Sequence, residues 1–192
     1  MMEDVVNFLF EVGMLRKTPR TGFQFLGSGN ESVADHTLKT IFIGYTLCKL
    51  EDGVDELRVL KMCLAHDLPE ARTGDMNYVY KKYVTVDEEK AVSDLTETLS
   101  FGDDIKSVIE EFNGKKTRES LIAHDADQLS LIFQLKEYED LGNKYSKEWT
   151  AFAVRRLHTD TAKKMADTLT RTDSSGWWFK DKSDWWVYGN NK

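Results

Sequence analysis

Met62-Cys63-Leu64-Ala65-His66-Asp67-Leu68-Pro69-Glu70-Ala71-Arg72-Thr73-Gly74-Asp75 runs from the end of an apolar helix into a turn marked by proline and glycine. Its first half is almost wholly apolar, so the helix that carries it is expected to be buried. A carboxylate beside an imidazole on a buried helix is costly unless the two are paired or bound to a metal. Adjacent helical positions diverge by about 100°, so a cation held between His66 and Asp67 receives one nitrogen and one oxygen. Glu70 follows within one turn, on the face shared with His66 and Asp67. Asp75 comes just past Gly74.

Outward from this stretch, apolar residues recur at three- and four-residue steps and strand-like alternation is nearly absent. That pattern predicts an all-α fold, a compact bundle of six or seven helices. A first helix spans Glu3–Leu15, with Val5, Val6, Phe8, Leu9 and Val12 inward. Lys17–Glu31, which holds Pro19, Gly22, Gly27 and Gly29, reads as a loop. Ser32-Val33-Ala34-Asp35 reads as a capping box. The helix it opens carries Leu38, Ile41, Phe42, Tyr45 and Cys48 on one side and breaks at Gly53. A third helix covers Asp55–Leu68 and buries Leu57, Leu60, Cys63 and Leu64, with Pro69 disrupting it. Further helices are expected over Asp87–Leu99, Asp103–Phe112, Arg118–Leu141 and Lys147–Leu169. The tail, Thr170–Lys192, differs: four of the five tryptophans lie there, as Trp177-Trp178 and Trp185-Trp186. Residues 1–169 are read as one domain, with the tail 170–192 folded back on it.

Composition narrows the function classes. The chain has 192 residues, 41% hydrophobic and 11% aromatic, enough apolar material for a real core. Its 26 basic and 33 acidic residues give a net charge of −7, which disfavours wrapping a nucleic-acid polymer but not binding a small phosphorylated molecule. A mean hydropathy of −0.49 and the lack of a long uncharged apolar stretch point to a soluble protein without a membrane partner. The acidic start, Met1-Met2-Glu3-Asp4, lacks the basic region of a signal peptide. Cys48 and Cys63 read as reduced core residues, and the cytoplasm is the expected compartment.

Two further residues bear on the metal. His36 sits in the first turn of its helix. Asp127 lies on the helix Arg118–Leu141 among Ala123, Ala126 and Ser130, small neighbours that allow close approach. His36, His66, Asp67 and Asp127 would together make a mixed nitrogen and oxygen site for one divalent ion: Mn, Co, Mg, Fe, Ni or Zn. His124-Asp125 is a second His-Asp dipeptide and reads as a decoy, with His124 exposed or behind the ligands. His158 and the Lys81-Lys82 and Lys115-Lys116 pairs read as solvated.

The order His36, His66-Asp67, Asp127 resembles the H…HD…D pattern of the HD-domain metal-dependent phosphohydrolases. Glu31-Ser32-Val33-Ala34-Asp35-His36-Thr37, the segment His66–Asp75, Pro19-Arg20-Thr21-Gly22 and Ala126-Asp127-Gln128-Leu129 are similar to four segments of its 5′-deoxynucleotidase branch, the YfbR-like and HD-domain-containing protein 2-like enzymes. The likeness runs from about Leu9 to Ala166; Phe23 stands where that branch usually carries Trp. The resemblance implies a metal held by His36, His66, Asp67 and Asp127 that activates water against a phosphate. It implies proton transfer by Glu70, help from Asp75 with the proton or the sugar, and a phosphate contact from Arg20. The substrate it implies is a nucleoside 5′-monophosphate, deoxyribose preferred, and the assembly a homodimer. Alternatives are a nucleoside triphosphohydrolase or phosphodiesterase of the same superfamily, or a nucleotide-binding module without turnover. The last is disfavoured because no ligand or acid/base carboxylate is missing.

Overall fold

The fold was obtained as a computed structural model that describes residues 1–180 and 183–189. Among these residues the regular structure is helical: α1 (Met2–Val12), α2 (Val33–Leu50), α3 (Glu56–Ala65), α4 (Glu70–Thr73), α5 (Glu88–Thr96), α6 (Gly102–Gly114), α7 (Arg118–Asp140), α8 (Ser146–Val154), α9 (Asp160–Arg171), α10 (Gly176–Phe179) and α11 (Trp185–Tyr188). Side-chain caps start the main ones. Ser32 Oγ accepts from Asp35 N and Asp35 answers at Ser32 N, closing the expected capping box. Asp55, Asp87, Thr117 and Thr159 cap α3, α5, α7 and α9 in the same way, each accepting from a backbone N–H in the first turn.

Helix α7 is the axis of the bundle and packs against α2, α3, α6, α8 and α9. Its Ile122, Ala126, Leu129, Ile132 and Leu135 are buried with Leu47 of α2 and Val59, Met62 and Cys63 of α3. Helices α2 and α3 approach closely at Gly44, where an added Cβ would lie 2.7 Å from Cys63 Sγ. A smaller cluster of Leu15, Val33, Leu68 and Leu95 seals the far end.

Three sequence expectations are corrected. Lys147–Leu169 is not one helix: α8 ends at Val154 and α9 restarts at Asp160. The cause is buried Asp125, which accepts from His158 N, Thr159 N and Thr159 Oγ1, all at 2.7 Å, and so holds the intervening backbone out of helical register. The inward faces of α2 and α3 are also rotated from the expected ones. Leu38, Phe42 and Tyr45 of α2 and Leu57 and Leu64 of α3 are exposed. The buried stripes are instead His36, Thr37, Thr40, Ile43, Gly44 and Leu47 on α2, and Val59, Met62, Cys63 and Ala65 on α3. Each helix thus carries two apolar stripes, and on α2 the one that faces in also holds the polar His36, Thr37 and Thr40. On α1, Val6 and Leu9 are exposed while Phe8 and Val12 pack inward. Phe8, Leu9, Leu38, Ile41, Leu64 and Leu68 line an open apolar groove left by this arrangement.

In the tail, Trp178, Phe179, Trp185 and Trp186 pack on one another, with ring centroids 5.2–5.8 Å apart. Ser174 N donates to Asp140 Oδ2 at the end of α7. Residues 181, 182 and 190–192 of the expected tail lie outside the described residues.

Candidate metal centre and substrate cleft

Three separate elements deliver the candidate ligands. His36 comes from the first turn of α2, completely buried, and His66 and Asp67 from the turn that closes α3. Asp127 comes from the middle of α7. His36 Nε2 lies 3.0 Å from Asp127 Oδ1 and 3.6 Å from Asp67 Oδ2. One donor atom from each of His36, His66 and Asp67 falls within 4.8 Å of the others. The four residues proposed from sequence are therefore brought together.

The ring tautomers agree with a cation at that point. His66 Nδ1 lies 3.0 Å from the Cys63 carbonyl, which can only accept, so Nδ1 carries the hydrogen and donates. In the neutral ring this leaves the lone pair on Nε2, which is buried without a hydrogen-bond partner; the nearest oxygen, Asp67 Oδ2 at 3.3 Å, is not aligned for one. His36 Nδ1 lies 3.1 Å from Ser130 Oγ, and its Nε2 faces the carboxylates with Thr40 Oγ1 3.4 Å away. A buried imidazole nitrogen with nothing to bind, facing two carboxylates, is what a divalent ion would satisfy.

The electrostatics say the same. Burial alone would lower the His66 pKa, but the Asp67 and Asp127 carboxylates outweigh it and lift it to about 9. For Asp127, burial raises the pKa, yet His36 and His66 carry it well below the usual carboxylate range. Asp67 is held low too, against its burial, by His66 and Arg20. The pocket thus demands positive charge. Glu70 behaves oppositely: burial, with Asp67 and Asp75 beside it, pushes its carboxyl up to about 9. Its Oε2 is buried and unpartnered.

Arg20 reaches the centre from the loop before α2. Its Nη1 donates to Asp67 Oδ2 at 3.2 Å, and its Nε lies 4.0 Å from Glu31 Oε2. Strapping of residues 18–20 against 31–33 fixes it there, through Arg20 N to Glu31 O and Val33 N to Thr18 O, both 2.9 Å. One oxygen of Asp75 is engaged: Oδ2 accepts from Thr21 N at 2.6 Å and from Thr21 Oγ1 at 3.2 Å. Gly74, at φ +72°, makes the turn that sends Asp75 back to Thr21.

Asp67 and Asp127 open from this centre onto a cleft of about 180 Å³. Besides Arg20, Asp67, Glu70, Asp75 and Asp127, its walls are Phe23, Leu131 and Trp149 on the apolar side and Tyr78, Lys81, Gln128 and Arg156 on the polar side. Sequence reasoning missed these polar residues. Lys81 belonged to a pair read as solvated, and Arg156 fell on a polar stretch within the span expected as one helix, Lys147–Leu169; neither position shows periodicity or a motif that marks a cleft. His124 is buried, not exposed: its Nε2 lies 2.7 Å from the Phe112 carbonyl, and its ring stacks on Phe112, whose other neighbour is His66. It stands behind the ligands, as the second of the two expectations had it.

Comparison with known proteins agrees with this geometry. The HD domain family model matches residues 12–169. The chain is 33% identical over 150 residues to the 5′-deoxynucleotidase HDDC2 of Dictyostelium discoideum, which covers 72% of this chain and 79% of that protein. It is 30% identical over 145 residues to the 5′-deoxynucleotidase hdd1 of Schizosaccharomyces pombe, covering 70% of this chain and 72% of that one. Among solved structures, a conserved hypothetical protein from Pyrococcus furiosus superposes with a TM-score of 0.74 at 28% identity, over 87% of this chain and 99% of that one. With its His-Asp pair, distant His and Asp, and helical bundle all in place, this chain belongs to the HD-domain family.

Proposed function

We propose that this protein is a metal-dependent phosphohydrolase that releases phosphate from nucleoside 5′-monophosphates, deoxynucleotides preferred. The observation that carries the proposal is the meeting of His36, His66, Asp67 and Asp127 beneath a cleft that Asp67 and Asp127 line, with the buried His66 Nε2 left without a hydrogen-bond partner. The relatives named 5′-deoxynucleotidase support the substrate class. A divalent ion held by those four residues would polarise a phosphate oxygen and lower the pKa of a water. Mn, Co, Mg, Fe, Ni and Zn all suit such a donor set.

The chain's own groups do the rest. Arg20 spends one side-chain hydrogen bond on Asp67 and keeps further guanidinium donors for the phosphate. Glu70 is assigned the proton transfer, because its Oε2 is buried, unpartnered and on the cleft wall. Asp75, tied to Thr21 through one oxygen, is assigned to hold the Arg20 loop and to help with the proton or the sugar. The cleft lining sets Arg20, Lys81 and Arg156 against Asp67, Glu70, Asp75 and Asp127, a balance suited to one phosphate group and poor for three. Phe23, Leu131 and Trp149 give the sugar an apolar wall, which disfavours an extra hydroxyl there.

No described helix is long and apolar enough to cross a membrane. A cytoplasmic location is proposed on the two buried free thiols, Cys48 and Cys63. A homodimer is proposed through the groove between α1, α2 and α3 and the exposed Phe10, Leu38, Phe42 and Leu64 around it, to be checked by sedimentation velocity. The deciding assay adds Mn, Co, Mg or Zn back to metal-stripped protein with ribo- and deoxynucleoside mono-, di- and triphosphates. Phosphate release from monophosphates alone is expected. Preferential triphosphate cleavage would overturn the proposal.

A further inference from the structure

We infer that Gln128 and Arg156 are positioning residues: they hold Asp127 as a one-oxygen donor to the metal centre and tie that donor to the wall of the substrate cleft. The inference rests on the metal-site reading above. Asp127 Oδ1 faces the centre, 3.0 Å from His36 Nε2. Its second oxygen, Oδ2, accepts a 2.8 Å hydrogen bond from Gln128 Nε2. Gln128 Oε1 accepts in turn from Arg156 Nη1 at 3.2 Å. The Arg156 guanidinium carbon lies 4.9 Å from the centroid of the Tyr78 ring, and all four residues line the same cleft.

The chain of contacts has a fixed direction. An amide has one donor end and one acceptor end, a carboxylate only accepts and a guanidinium only donates. Gln128 therefore has a single orientation that satisfies both neighbours, with its nitrogen toward Asp127 and its oxygen toward Arg156. Arg156 is what makes Gln128 a donor. A donor seated on Oδ2 competes with a cation for that oxygen, so Asp127 presents Oδ1 alone. Arg156 itself leaves the turn between α8 and α9, the segment whose course buried Asp125 sets. Its seat over Tyr78 adds an attraction between cation and ring. One end of this relay reaches a metal ligand and the other stands where a nucleotide would lie.

The test is calorimetric titration of Co²⁺ into metal-stripped protein, with the visible Co²⁺ spectrum as a second readout. Gln128→Leu removes the donor, and Co²⁺ affinity is expected to fall by about 10- to 100-fold, the usual effect of losing a residue that orients a ligand. The Co²⁺ absorption should weaken as well, because a released Asp127 can bind through both oxygens and raise the coordination number. Gln128→Glu keeps the size but places an acceptor against Asp127, and should lose affinity similarly. Arg156→Met should shift affinity in the same direction and raise KM for a nucleoside 5′-monophosphate, while Arg156→Lys, which still donates, restores Co²⁺ binding. Metal-free melting curves matching the unaltered chain identify which variants are folded. The relay is overturned if folded Gln128→Leu and Gln128→Glu bind Co²⁺ as tightly, and with the same spectrum, as the unaltered chain. A chain that takes up Co²⁺ but frees no phosphate defeats the hydrolase reading alone, since the relay is judged on affinity and spectrum. A chain that takes up no divalent ion defeats both.

Discussion

Glu31 sits in the strap beside the metal centre, 6% exposed, with its Oε2 buried and unpartnered. Burial pushes its carboxyl from 4.5 up to about 7, although Arg20 and Lys39 oppose the shift. Between those two values the native chain keeps a proton that the unfolded chain has released, so this residue lowers stability as pH rises through the window. Glu31→Gln removes the penalty. Thermal melts should show the variant gaining stability at pH 8, on the order of 3 kcal/mol from one pKa unit being 1.36 kcal/mol, with the gap closing at pH 4. Equal gaps at both pH values would refute this. Two other substitutions separate grip from chemistry. Asp67→Ala removes a proposed ligand and the carboxylate that Arg20 hydrogen-bonds, so metal content and turnover should both vanish. Glu70→Gln should keep the metal and lose roughly 10²- to 10⁴-fold in kcat, the usual contribution of a positioned acid or base. A Glu70 variant with normal kcat would remove it from the reaction.

At the level of elements, Asp125 decides where the bundle turns its last corner. Asp125→Ala would remove the acceptor of two backbone N–H groups and of the Thr159 hydroxyl at a part-buried corner, costing about 1–3 kcal/mol by the usual range for lost hydrogen-bond partners. Urea unfolding measures that loss, and an unchanged midpoint would mean that the corner holds itself. Asp125 also shows where sequence stops being informative. The convergence of the candidate residues was legible because His66 and Asp67 are neighbours, and because capping chemistry at Ser32 announced the helix that carries His36. The break between α8 and α9 was not, since local periodicity continues through it and the interrupting carboxylate comes from another helix. The inward faces of α2 and α3 were misassigned for a related reason: Leu38, Phe42 and Leu64 are more apolar than Thr37, Thr40 and Ala65, yet the latter are the buried ones, because packing against α7 and not local hydropathy sets which face turns in. Lys81 and Arg156 became cleft residues only through tertiary placement.

For the molecule as a whole, the centre joins three elements that are distant in sequence, so a bound ion acts as a clamp on the native state alone. At 100 times its Kd such an ion adds about 2.7 kcal/mol. For a chain of this size that corresponds to a melting temperature higher by roughly 5–10 °C, from about 2–4 °C per kcal/mol. Calorimetry with Mn²⁺ and then a chelator should show the gain and its reversal; indifference to both would argue against a shared site. The ring of Phe112, lodged between His66 and His124 at centroid distances of 4.8 and 3.8 Å, extends this coupling to a helix that supplies no ligand. Helix α6 meets His66, a proposed nitrogen donor, through that ring, as a shim sets the angle of a bearing. A change in the seating of α6, with no atom near the cleft, would tilt the imidazole and retune which ion it favours. Variants of altered metal preference should therefore be sought along α6 as well as among the ligands.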